Sequence, residues 1–383
     1  MAGFTTRAIH LTENNQYGSI LPPIFTTTTY AQPLDVEGPY EYQRGGNPSR
    51  EAAEKTMAAL EDAKHAYVYP SGMAATTAAL NILKAGETVI MGMPIYGGSY
   101  RFATIELAQR NVQTRFVKDF STLSDADFAD NVTMVFLESP TNPTLEVHDI
   151  QHVAQVAHRN GAIVVVDNTF MTPYLQRPLE LGADITVQSA TKYLGGHADL
   201  LAGVAATNDD DLAVRLWHNQ MVSGSMLSPM DSYRLLQECK TMAIRIDRQQ
   251  ENTYKIIDFL ESHPAVERVL YAGSASEKEA EIHARQAKGV GALISMTLVP
   301  GADPKLFLEQ LEVFSFAVSL GGIESLVSLP AHMVLGSYSQ EHRDMFGIED
   351  RLIRLAIGIE DIDDLIADLK RGLDAVSESL AQV

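Results

Sequence analysis

Lys192 sits between small hydroxyl residues in Ser189-Ala190-Thr191-Lys192-Tyr193, directly after the apolar run Ile185-Thr186-Val187 and just before Gly195-Gly196. Upstream, Asp167 closes the run Ala162-Ile163-Val164-Val165-Val166. A lysine amine can form a Schiff base with a carbonyl cofactor, and a carboxylate can keep a pyridine nitrogen protonated. The pair therefore suits pyridoxal phosphate, whose ring stores the electrons of a substrate carbanion. Charged side chains are mostly exposed, so a lysine and an aspartate by themselves would be a loop residue and a turn residue. Here other needs of that cofactor are met as well. Ser189 and Thr191 carry hydroxyls that can donate to a phosphate. Ser71-Gly72-Met73-Ala74 follows the strand-like Ala66-Tyr67-Val68-Tyr69 and opens an Ala/Thr/Leu helix. A serine and then a glycine at a helix start leave backbone N–H groups aimed at an anion.

Such residues must be gathered by a scaffold, and the apolar pattern describes one. From about residue 50 to 230 short apolar runs alternate with helical patterns. Strands are expected at 66–69, 88–92, 114–117, 134–138, 163–167, 185–188 and 203–206, with helices such as 50–60, 73–83 and 150–159 between them. That alternation predicts an α/β fold whose large, mostly parallel sheet is covered on both faces. Ligands of such sheets lie beyond the carboxyl ends of the strands, where Glu138, Asp167 and Ser189 fall. Residues 1–45 are rich in Thr, Pro and Tyr without a sustained period and read as an extended arm. A PLP-binding domain is expected over 46–235 and a smaller C-terminal α/β domain over 236–383. A long helical pattern from Asp231 to about Ser262 joins the two. Strands at 266–271, 292–298, 313–318 and 352–357 and a last helix from Ile362 to about Ser377 complete the second domain.

Bulk properties narrow the function. The 383 residues exceed one typical core, and 45% hydrophobic with 20% charged content is ordinary for a globular protein. A net charge of −20, from 29 basic and 49 acidic residues, argues against nucleic acid and anionic membrane as partners. The single cysteine, Cys239, lies on a helical pattern, allows no disulfide framework and fits a cytoplasmic setting. No signal peptide is expected at the N-terminus, and no apolar run approaches the ~20 residues that span a bilayer. His148 and His152 could share a helix face like metal ligands. No third ligand follows at metal-site spacing, so no metal is expected and the pair reads as a solvated face.

Tyr42-Gln43-Arg44-Gly45-Gly46-Asn47-Pro48, Ser71-Gly72-Met73-Ala74, Tyr96-Gly97-Gly98, Glu138-Ser139-Pro140-Thr141-Asn142-Pro143, Asp167-Asn168-Thr169-Phe170, Ser189-Ala190-Thr191-Lys192, Ser319-Leu320-Gly321-Gly322 and Arg351-Leu352-Ile353-Arg354-Leu355 occur in this order. The series resembles the Cys/Met-metabolism group of pyridoxal-phosphate enzymes: cystathionine synthases and lyases, methionine γ-lyase and homoserine sulfhydrylases. It spans nearly the whole chain and implies a fold-type I, transferase-like architecture. The resemblance implies that Lys192 holds the cofactor and moves protons, with Asp167 on its pyridine nitrogen. Tyr96 stacks over the ring, although Pro94 stands where the family usually has an aspartate. Asn142 meets the phenolic oxygen. Gly72, Met73, Ser189 and Thr191 hold the phosphate, joined by Tyr42 and Arg44 from an adjacent subunit. Thr169 and Glu138 stand beside these groups with open roles.

Arg354, in an alternating strand, can grip a substrate carboxylate through two parallel hydrogen bonds, with Ser319 and Asn142 completing that pocket. Val318 stands where many γ-acting relatives carry a glutamate, and Gly98 where methionine γ-lyases commonly carry a cysteine. Ala317-Val318-Ser319-Leu320-Gly321 looks more like cystathionine β-lyases of the Gram-positive type, whereas 330–335 departs from the family's usual ending. The expected activity is a carbon–sulfur lyase acting on a small sulfur amino acid, above all β-elimination of cystathionine to homocysteine, pyruvate and ammonia. Cystathionine γ-lyase, methionine γ-lyase, γ-synthase or sulfhydrylase chemistry is the alternative. A non-catalytic binding protein, a more distant one, would leave Lys192 unmodified. The expected assembly is a homotetramer of site-sharing dimers.

Overall fold

Apolar runs rich in Val and Ile become the central strands. The computed structural model describes residues 2–10, 16–36, 38–333 and 345–382. Its larger sheet contains β1 (His65–Tyr69), β2 (Thr88–Gly92), β3 (Gln113–Val117), β4 (Val132–Glu138), β5 (Ile163–Asp167), β6 (Ile185–Ser189) and β7 (Gly203–Thr207). Every expected strand is present, with ends shifted by a residue or two. The spatial order is β1-β7-β6-β5-β4-β2-β3. The strands from β6 to β3 run parallel, and β7 runs antiparallel to both its neighbours. Helices cover both faces, which is why β2 and β7 are buried along their whole length and read as continuous apolar runs. Helix Ile150–Arg159 shows the local logic. Asp149 caps it by accepting from His152 N, and Ile150, Val153, Ala154 and Ala157 form its buried stripe.

The smaller sheet is built of β8 (Val266–Leu270), β9 (Leu293–Leu298), β10 (Ser315–Phe316), β11 (Leu326–Ser328) and β12 (Leu352–Ala356), ordered β10-β11-β12-β9-β8. Apart from the parallel pair β10/β11, its neighbours are antiparallel. The sequence pattern misses β11, which is too short to show a period. It also overextends β10. Just before that strand the Asp368 carboxylate accepts the N–H groups of Glu312, Val313 and Phe314 at 2.8–3.0 Å, which keeps them out of the ladder.

Three further expectations change. The pattern from 231 to 262 is two helices, Pro229–Glu238 and Met242–Glu261, separated by a 3₁₀ turn at Cys239–Thr241. Arg245 Nη2 and Thr241 Oγ1 both donate to Glu238 O there, at 3.1 and 3.2 Å, and so compete with the helical ladder. The N-terminal arm is not extended throughout. Residues Phe4–His10 form a helix, and Arg7 pairs with Asp62 while donating to Ala59 O, so this part lies on its own chain. Finally, His148 is buried rather than solvated. Its backbone is pinned by Ser139 Oγ and Gln286 Nε2, its ring meets Phe120 edge-on, and burial pushes it down to about 4. Among the described residues no His, Cys, Asp and Glu cluster could hold a metal ion, and no helix is long and apolar enough to cross a membrane. Cys239 is buried, its thiol pushed up to about 12 by that burial, which makes it a packing residue.

Candidate active site

β4, β5 and β6 end side by side, and their last residues form the floor of a cavity of about 410 Å³. Glu138 and Asp167 are register partners, so two carboxyl groups share one buried corner. Burial raises the pKa of Glu138, and the Asp167 charge raises it further. Burial raises Asp167 too, opposed by hydrogen bonds from Thr169. Thr169 is central: its N and Oγ1 both donate to Asp167 Oδ1, at 3.0 and 2.5 Å, and its Oγ1 accepts from Ser189 N at 2.8 Å. Thr169 thus joins the aspartate of one strand end to the serine of the next. Glu138 Oε1 accepts from Tyr96 N at 2.8 Å, which anchors the loop that presents the half-exposed Tyr96 ring to the cavity.

Lys192 enters from the turn after β6, and its Nζ donates to Ser319 Oγ at 2.7 Å. Burial, assisted by the charge of Arg354, lowers the amine to about 8. Ser319 has φ +94°, a left-handed conformation rare outside glycine, and reaches the lysine from the loop between β10 and β11. Gly321 follows at φ +76°, where a Cβ would stand 2.7 Å from Tyr193 N. Arg354, in the middle of β12, is 3% exposed. Its Nη1 donates to Asn142 Oδ1 at 3.0 Å and its Nη2 to Ser319 O at 2.8 Å, while its Nε has no partner among the described residues. Burial lowers Arg354 to about 10. Val318 lines the same cavity and is 55% exposed.

The opposite wall is the N-terminus of helix Gly72–Leu80. Ser71 caps it through Ala74 N, and Gly72 and Met73 line the cavity. Gly72 lies so tightly on β6 that a Cβ there would come within 2.6 Å of Ser189 Cβ. The Ser189 hydroxyl makes no hydrogen bond among the described residues. An uncovered helix N-terminus, a free serine hydroxyl, a lysine with a lowered pKa and a buried aspartate together fit pyridoxal phosphate. Thr191 lines the cavity as well, but its hydroxyl donates to Ala202 O at 3.1 Å and accepts from Ala202 N at 3.0 Å, so its proton is committed to β7's approach. Tyr42 and Arg44 stand apart. Both are exposed on the arm, with the Arg44 guanidinium 5.6 Å from the Tyr42 ring centroid, and neither lines this cavity.

Sequence reasoning overlooks Arg101. It ends helix Gly97–Arg101, lines the cavity, and its side chain makes no hydrogen bond or ion pair among the described residues. Its position four residues after Gly97, one helical turn on within the helix that follows Tyr96, is the signal that could have found it. Met333 also lines the cavity, whereas positions 334 and 335 of the distal stretch lie outside the described residues.

A doubly covered parallel sheet with this lysine, aspartate and phosphate wall defines a fold-type I pyridoxal-phosphate enzyme. Its relatives specify the family. Residues 5–374 match the model of the Cys/Met metabolism PLP-dependent enzymes, and the chain belongs to that family. It is 44% identical over 376 residues to a cystathionine γ-lyase of Dictyostelium discoideum, covering 96% of this chain and 97% of the relative. It is 40% identical over 379 residues to a cystathionine β-lyase of Lactococcus lactis subsp. cremoris, covering 98% and 100%. A crystal structure of cystathionine γ-lyase from Lactobacillus plantarum complexed with L-serine superposes with a TM-score of 0.95 at 36% identity, covering 98% of this chain and 100% of that one. The protein is thus a pyridoxal-phosphate-dependent lyase of sulfur amino acid metabolism.

Proposed function

We propose that this enzyme cleaves cystathionine by β-elimination. The observation that carries the substrate is the presence of two guanidinium groups, Arg354 and Arg101, on one cavity: cystathionine carries a carboxylate at each end. Arg354, already held by Asn142 and Ser319 O, takes the α-carboxylate at the reacting end, and Arg101 at the rim takes the far one. Val318 brings no carboxylate to meet a distal ammonium, which favours β over γ chemistry.

Lys192, Asp167, Asn142, Tyr96, Ser189, Gly72 and Met73 are the cavity residues that would hold pyridoxal phosphate, with Thr191 stitching the loop behind them. When bound, the cofactor supplies an electron sink that makes a proton at substrate Cα removable. Lys192 takes that proton, since an amine near 8 is in part a free base at neutral pH, where an ordinary lysine is not. Ser319 Oγ orients the amine, and Tyr96, on the cavity wall, would pass a proton to the departing thiolate. Asp167, steadied by Thr169, would pair with the ring nitrogen and keep it protonated.

Tyr42 and Arg44 serve the phosphate of a neighbouring subunit, because the arm that carries them does not reach its own cavity. The working assembly is a cytoplasmic homotetramer of site-sharing dimers. Incubation of the loaded enzyme with cystathionine tests the reaction. Pyruvate and homocysteine are expected; 2-oxobutyrate with cysteine as the main products would establish γ-cleavage instead, the reading that the 44% identical relative favours.

A further inference from the structure

The arm segment that carries Tyr42 and Arg44 is irregular, yet a buried cation holds its backbone. Arg50, on helix Pro48–Leu60, is 2% exposed. Its Nη1 donates to Gln43 O at 2.8 Å and its Nη2 to Arg44 O at 3.3 Å. These two carbonyls belong to the peptide planes on either side of the Arg44 Cα. Holding both planes sets the direction in which the Arg44 side chain leaves the backbone. A planar fork can do this; a single ammonium has no such geometry.

The fork is itself secured. Arg50 forms an ion pair with Glu54, its Nε 3.5 Å from Oε1 without a hydrogen bond, and that Oε1 accepts from Gln220 Nε2 at 3.1 Å and Val68 N at 3.3 Å. Trp217, the single tryptophan of the chain, donates to Gly45 O at 3.4 Å. A buried guanidinium is costly to leave without its partners. We propose that Arg50 is a positioning residue for the active site of a neighbouring subunit, aiming Arg44 across the subunit boundary at the cofactor phosphate. This rests on the shared-site reading above.

The test uses Arg50→Met and Arg50→Lys in the full chain. For Arg50→Met, cofactor affinity measured by absorbance titration falls at least about tenfold, the size expected for a lost charged hydrogen bond. In cofactor-free protein, Trp217 becomes more open to acrylamide quenching. Arg50→Lys recovers only part of either loss. After subunit exchange, and at a cofactor concentration too low to load Arg50→Met alone, Arg50→Met chains mixed equally with Lys192→Ala chains regain roughly a quarter of wild-type activity, because half the pairs are mixed and each has one sound site. Mixed with Arg44→Ala chains they regain none, since every arm is then defective.

Unchanged affinity and quenching in Arg50→Met would overturn the inference. So would a mixture with Lys192→Ala that stays inactive while Arg44→Ala with Lys192→Ala recovers, since Arg50 would then serve its own chain. If that Arg44→Ala control also fails despite exchange proven by mass labelling, the shared-site reading itself falls. Should Arg50→Met not fold, the same mixtures with Arg50→Lys decide.

Discussion

Lys192, in the turn after β6, and Ser319, in the loop after β10, meet side chain to side chain at 2.7 Å, and Ser319 holds a left-handed backbone there, φ +94°. Among the described residues the lysine therefore has one neutral acceptor and no carboxylate to hold its proton. Burial and Arg354 lower it to about 8.

That amine should react early in a pH series. In cofactor-free protein, an acylating reagent should label Lys192 with a pH midpoint near 8. Exposed lysines should follow at about 10.4, their ordinary value. Peptide mass spectrometry across the series measures both. A common midpoint for all lysines would remove the basis for Lys192 as a proton carrier. Lys192→Ala should in addition cost more than about 10² in turnover while leaving the fold intact.

Glu138 makes two contributions that substitutions can separate. Its Oε1 accepts the Tyr96 N–H, and its acid group adjoins Asp167. Glu138→Gln keeps an acceptor for Tyr96 and should fold with near-normal stability. Glu138→Ala leaves the part-buried Tyr96 N–H without its acceptor and should lose about 1–3 kcal/mol in chemical denaturation. Asp167→Ala should still bind cofactor but lose roughly 10² or more in rate, a loss of the size seen when a positioned acid–base group is removed. Equal stability of the two Glu138 variants would show that the Tyr96 contact contributes little.

The strand ends were readable from sequence because a doubly covered parallel sheet forces continuous apolar runs, and polar residues that interrupt them mark the ends. Asp167 and Ser189 are such interruptions. Arg354 was readable for the same reason, as a charge inside an apolar strand. What stayed hidden depends on contacts distant in sequence. β10 is cut short by Asp368, more than fifty residues away. Thr191 looks like a free hydroxyl until Ala202 is placed beside it. Arg50 shows in the sequence only as part of an expected helix and Arg101 in no singled-out motif, yet one is buried against backbone carbonyls and the other lines the cavity.

Glu61 gives the fold a pH dependence outside the site. It is 1% exposed, its Oε1 accepts from Gln188 Nε2, and its Oε2 has no partner among the described residues. Burial raises it to about 8. The folded state thus holds a proton that the unfolded chain releases near 4.5. Folded stability is fully present below that value and is lost as pH rises toward 8. Glu61→Gln keeps the Gln188 contact and removes the ionisation. The variant should match wild type at low pH and exceed it above about 8, by an amount on the order of a few kcal/mol. Denaturation midpoints at the two pH values measure this. A constant difference between the proteins would show that Glu61 does not titrate on unfolding.

The two cavity arginines should separate by substrate. Arg354 is buried, and both its terminal nitrogens are already directed by Asn142 and Ser319. Every amino-acid substrate brings an α-carboxylate to it. Arg354→Lys replaces the fork with a point charge and should raise KM about tenfold to a hundredfold for cystathionine and S-methylcysteine alike. Arg101 is exposed at the rim and meets only a substrate long enough to carry a second carboxylate. Arg101→Ala should therefore raise KM for cystathionine by roughly tenfold, at the lower end for a charged hydrogen bond because water screens the rim. The same change should leave S-methylcysteine, which has no far carboxylate, nearly unaffected, and added salt should narrow the difference between the substrates. Steady-state kinetics on both substrates with both variants reads the outcome. If Arg101→Ala weakens the two equally, Arg101 acts on the cofactor side of the cavity, and the two-carboxylate argument for cystathionine fails.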